Sequence, residues 1–131
     1  MATFTFAVQA VSAGIAPSTW RGASGETVSG ADVAAHLRAV RDLMERADWE
    51  PTFDRGLQAA FRAARANGVG DLDSQFIGRD LMEQILRVHL SGWSDVDVWT
   101  GKPHRSRADV LELLVAAADL AAAYGPAKAV R

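Results

Sequence analysis

The stretch from Arg107 to Tyr124 carries apolar residues on almost every side of a helix, and this limits what the chain can fold into more than any other feature. Val110, Leu111, Leu114, Val115 and Ala118 recur at steps that put them on one face, while Leu113, Ala117, Leu120 and Tyr124 make another. Only a narrow stripe of Asp109, Glu112, Ala116 and Asp119 stays polar. Such a helix needs cover on several sides, so it is expected either at the centre of a bundle or at the seam between two copies of the chain. Ser106 is placed to cap its start, and Tyr124-Gly125-Pro126 ends it.

Three further helices are legible upstream. Ser29-Gly30-Ala31-Asp32 has the hydroxyl and the later acidic residue that satisfy free amides at a helix start. Val33, Leu37, Val40, Met44 and Ala47 then share a face, opposite Arg38, Arg41, Asp42, Glu45 and Arg46, with Arg38–Asp42 and Arg41–Glu45 spaced for surface ion pairs. A second helix is expected over about Thr52 to Ala66, with Phe53, Leu57, Ala60, Phe61 and Ala64 inward and Asn67-Gly68 as its stop. The third spans about Ser74 to Leu90, carrying Ile77, Leu81, Ile85 and Val88, joined by Phe76 and Met82.

The first 30 residues read differently. Thr3-Phe4-Thr5-Phe6-Ala7-Val8 alternates polar and apolar residues with the period of a strand, and a loop rich in Gly, Ser, Thr and Pro follows. With 131 residues and no cysteine, one core without disulfides is the expectation. The sequence therefore predicts a mainly α, single-domain bundle of about four helices with a short N-terminal strand or arm. Residues 1–30 form the strand or arm and its loop, 31–125 the helical domain, and 126–131 a tail. No stretch approaches the roughly 20 apolar residues of a membrane helix. The apolar run over residues 6–16 has no preceding Lys or Arg and is interrupted by Gln9 and Ser12, so a cytoplasmic protein is expected.

Three segments carry a resemblance. They are Leu37-Arg38-Ala39-Val40-Arg41-Asp42-Leu43-Met44 leading into Trp49, then Gly56-Leu57-Gln58-Ala59-Ala60-Phe61-Arg62-Ala63-Ala64, then Trp93-Ser94-Asp95 ahead of Arg107-Ala108-Asp109-Val110-Leu111-Glu112-Leu113-Leu114. In this order they resemble an uncharacterised family of small actinobacterial and phage proteins, a domain of unknown function, over residues 33 to about 122. The Trp-Cys pair that members often carry is missing here, and the first 30 residues have no counterpart. The resemblance brings no activity, cofactor or catalytic residue with it.

Chemistry concentrates in the connection between the last two helices. Trp93, Asp95, Asp97, Trp99, His104 and Arg105 lie within it, the composition of an interface hot spot and the candidate site for a protein partner. The alternative is structural: the two tryptophans plug the end of the bundle while the aspartates cap turns. Asp95, Asp97 and His104, with Asp71 and Asp73, match neither a calcium loop nor a zinc pair, so no metal and no cofactor is assigned. His36 and His89 read as structural, and neither a nucleophile elbow nor a phosphate or dinucleotide loop is present.

A non-catalytic interaction or assembly protein is thus the leading expectation. A small nucleic-acid-binding regulator using Arg55, Gln58, Arg62 and Arg65 comes second, against a net charge of −2, and an enzyme with its site at residues 93–105 third. Twelve of the fourteen basic residues are arginine, which suits a GC-rich source such as an actinobacterium or its phage. Self-association is expected as a two-fold dimer through Leu113, Ala117 and Leu120, with strand exchange over Phe4 to Val8.

Overall fold

The computed structural model describes residues 3–46, 56–92, 95–102 and 105–128. Among them run α1 (Thr5–Gly14), a 3-10 turn (Pro17–Trp20), α2 (Gly30–Arg46), α3 (Leu57–Ala66), α4 (Leu72–His89), α5 (Val96–Thr100) and α6 (Arg107–Tyr124). The mainly α expectation holds, with two helices more than the pattern showed. The described residues contain no sheet; the isolated bridge between Arg21 and Thr27 closes the turn around Gly25.

α6 lies at the centre. Ser106 caps it in a reciprocal box with Asp109, as expected from the hydroxyl at that position. Val110, Leu113, Leu114, Ala117, Ala118, Leu120 and Ala121 are all buried, with α2 as the most extensive neighbour and α4 and α1 on other sides. Each buried leucine contributes about 1.5–3 kcal/mol relative to an exposed one, so enclosing α6 outweighs any local preference nearby. Leu113, Ala117 and Leu120 are at most 1% exposed. The residues expected to meet a second copy are therefore covered within the chain.

The expected N-terminal strand is a helix instead. A strand would put Phe4, Phe6 and Val8 on one face, whereas α1 buries Phe4, Ala7 and Val11, spaced three and four residues apart, and leaves Phe6 74% exposed. The alternation was too short to separate the two periods, and docking decides. Phe4 meets His89 of α4 edge-on at 4.8 Å and Trp99 of α5 at 6.2 Å, which anchors the start of α1 against helices rather than a sheet edge. Phe4, Ala7, Val11 and Trp20 thus join the same core as the later helices, and strand exchange through this segment has no strand to exchange.

α2 and α4 follow their stripes with small corrections. Ser29 Oγ accepts from Asp32 N at 3.1 Å, and Val33, Leu37, Val40 and Met44 are buried. Arg41 approaches Glu45 at 3.5 Å as expected, but Arg38 reaches Asp119 on α6 at 3.3 Å. α4 begins earlier than read, because Asp71 is its cap and Ser74 is the third helical residue of the box. Phe76 is 53% exposed, so it leaves the stripe it was assigned to. In α3, Leu57, Ala60, Phe61 and Ala64 are buried as expected; Phe53 and Ala47 lie outside the described residues.

The start of α2 and the end of α6 touch through glycine. Gly30 N donates to Pro126 O at 2.9 Å, and a Cβ on Gly30 would run into the Ala121 carbonyl oxygen and Gly125. Gly14, by contrast, faces open space. Gly30→Ala is expected to lower unfolding free energy by about 1–3 kcal/mol through overpacking. Gly14→Ala is expected to be neutral or to stabilise by up to about 1 kcal/mol. Urea denaturation of both variants, with equal loss in the two, would contradict the close approach.

Candidate functional site

The candidate connection folds into a charged latch around Arg79 of α4. Asp95 caps α5, accepting from the amides of Asp97 at 2.8 Å and Val98 at 3.2 Å. Its carboxylate also faces the Arg79 guanidinium at 3.3 Å, and Asp97 approaches the same guanidinium at 2.6 Å. Glu83, one turn along α4, completes the set at 3.4 Å, while Gln58 of α3 donates to both Asp97 oxygens at 3.1 and 3.2 Å. Burial works against the Arg79 charge, but Asp97, Asp95 and Glu83 together outweigh it and raise its pKa.

Trp99 points inward from α5 and is 4% exposed. Arg105 lies over its ring at 3.9 Å and donates from Nε to the Trp99 carbonyl at 3.1 Å. Asp95, Asp97, Trp99 and Arg105 are thus brought together, but in a connection whose polar groups are answered from inside the chain. Trp93 and His104 lie outside the described residues. The arginine-rich face is engaged in the same way: Gln58 holds Asp97, Arg65 donates to Gln75 at 2.8 Å, Arg62 is exposed, and Arg55 lies outside the described residues. No group of three or more His, Asp or Glu side chains among the described residues could hold a metal, and no described helix is long and apolar enough to cross a membrane.

A different site opens where α1, α2 and α6 diverge. A groove of about 570 Å³ is lined by Phe4 at the cap of α1, Val8 of α1, Arg41 of α2, and Leu111, Val115 and Ala116 of α6, with Glu112 and Asp119 along its length. Its size is that of a binding cleft, and its surface is mostly apolar. Val115 is 38% exposed, on the one side of α6 that the neighbouring helices leave open. Thr3 Oγ1 donates to Glu112 at 2.6 Å, tying the start of α1 to α6 at the rim. Sequence reading placed Leu111 and Val115 on an apolar face beside the Glu112–Asp119 stripe, but not the opposing wall, because α1 was read as a strand.

Residues 28–120 match a family described as a family of unknown function (DUF6197). The chain belongs to this family. The matched span agrees with the resemblance seen over residues 33 to about 122. No curated protein and no protein of solved structure matches the chain. The family segment starts at the cap of α2 and ends within α6, so it contains the latch and the α6 wall of the groove, while α1 lies outside it.

One buried group titrates against the fold. His36 of α2 is fully buried and stacked on Phe61 at 5.7 Å, with Nδ1 at 2.9 Å from the Val69 carbonyl, so Nδ1–H is the donor. Nε2 is buried without a partner. Gly70, in the left-handed region at φ +88°, is pressed so closely on the ring that a Cβ there would overlap it. Burial, reinforced by Arg65, lowers the His36 pKa from 6.5; the Val69 bond and Asp71 oppose this.

Two outcomes follow from these contacts. Arg79→Leu leaves three carboxylates without their cation and is expected to cost about 1–2 kcal/mol, between exposed and buried pairs; faster amide exchange confined to α5 would locate the loss, and unchanged exchange would contradict the latch. Because the folded state disfavours the charged imidazole, the His36 contribution is complete above its ordinary pKa of 6.5 and is lost as pH falls below it. The slope is at most about 1.4 kcal/mol per pH unit. Subtracting the stability profile of His36→Phe from the native one isolates it, and a flat difference below pH 6.5 would contradict the assignment.

Proposed function

We propose that this protein is a non-catalytic interaction module of the cytoplasm, of actinobacterial or phage origin, that docks a protein partner in the groove between α1 and α6. One observation carries the reading: the open side of the central helix leaves Val115 exposed beside a half-buried Leu111, inside a cleft with charged edges. The side chains that could have served catalysis support it from the other direction. Asp95, Asp97 and Arg105 are spent on capping, on Arg79 and on Trp99, and His36 is sealed in the core. Nucleic-acid binding ranks behind, since Gln58 and Arg65 of the arginine-rich face are already committed to Asp97 and Gln75.

A photo-crosslinking residue at position 115, introduced in cells that express the protein naturally, is expected to give a discrete adduct. The same residue at Leu72, 63% exposed on α4 and away from the groove, is expected to give none. Leu111→Asp should abolish the adduct from position 115. Identical labelling from both positions, or labelling that survives Leu111→Asp, would refute the groove as the docking site.

A further inference from the structure

The polar edge of the groove specifies what its partner looks like. Glu112 and Asp119 are seven residues apart on α6, two turns, so their carboxylates line the same side about 10.5 Å apart along the axis. Arg41 lies between the helices, where Nη1 is met by Asp42 at 3.4 Å and Nη2 by Glu45 at 3.5 Å, while Nε is buried without a partner. Arg38 pairs with Asp119 at 3.3 Å with both side chains more than half exposed, an arrangement that leaves Asp119 open to a second cation. Among the residues that line the groove, then, one cation, Arg41, stands with two carboxylates, Glu112 and Asp119, and the balance is acidic.

The groove follows α6 from Ala108 to Asp119, about 17 Å or three turns. That length and an apolar floor suit one amphipathic helix laid along it. A second copy of α6 suits it badly. Paired antiparallel about the midpoint between Val115 and Ala116, each Glu112 would oppose the Asp119 of the other copy, twice over, and like charges face each other on both sides.

Resting on the groove as docking site, we infer that the partner is a basic amphipathic helix. It lays apolar side chains along Leu111 and Val115, against Val8, and sets two Lys or Arg side chains seven residues apart against Glu112 and Asp119.

The test uses two synthetic 14-residue helical peptides with leucine at positions 1, 4, 8 and 11, one carrying lysine and the other glutamate at positions 5 and 12. Binding to the full chain is measured by fluorescence anisotropy. The lysine peptide is expected to bind about tenfold more tightly than the glutamate peptide. Glu112→Lys with Asp119→Lys should reverse that preference, a swap that a merely structural role for the two carboxylates would not produce. Val115→Arg should abolish binding of both peptides, with circular dichroism confirming that each variant is folded. Equal binding of the two peptides, both blocked by Val115→Arg, would overturn the basic partner while leaving the groove as docking site. Binding of neither, or binding indifferent to Val115→Arg, would overturn both.

Discussion

Enclosing a helix that is apolar on nearly every side is the constraint on which this fold depends. Presenting Leu113, Leu114 and Leu120 of α6 to water would cost roughly 4.5–9 kcal/mol together, a large part of the margin of about 5–15 kcal/mol by which a domain is stable. α2 therefore lies along one side, α4 along another, and the N-terminal segment gives up its strand-like alternation to supply a third cover as α1. The glycine contact at one end of α6 and the capping box at the other fix where that helix starts and stops relative to α2. The groove is what three covers leave over.

Around this apolar centre, charge is used for positioning. α5 is only five residues long and would not persist alone, yet Asp95 caps it, Asp97 grips Arg79, and Trp99 drives into the core beneath Arg105. These are the residues whose composition suggested a recognition surface. Tryptophan and arginine are enriched at interface hot spots because they combine area with directional contacts, and the same properties serve a short segment that must hold a fixed pose inside a single chain.

The sequence was most informative where one pattern ran long enough to be unambiguous. α6 was legible almost to the residue, from Ser106 to Tyr124, and so was the buried stripe of α2. α1 was not, because six alternating residues satisfy both a period of two and a spacing of three and four, and only the partners Phe4 finds, His89 and Trp99, separate the two. α5 was hidden because a helix this short shows no periodicity. Its single signal was an aspartate ahead of a short run ending in Trp99-Thr100, and that reads equally well as a turn. The apolar half of the groove was present in the Leu111–Val115 face, but the site needs two walls, and the second belonged to the segment whose structure local pattern could not decide.

The contact between Gly30 and Gly125 brings the two ends of a 96-residue stretch, α2 through α6, to within a backbone's width of each other. A unit whose entry and exit points coincide can be spliced into a surface loop of another protein without prising that loop apart, and its own ends can be joined and reopened elsewhere with little cost in chain connectivity. α1 lies outside this stretch and outside the family segment. Exchanging it would remodel one bank of the cleft, and a replacement would have to restore the cover that Phe4, Ala7 and Val11 give the core while the charged latch stays as it is.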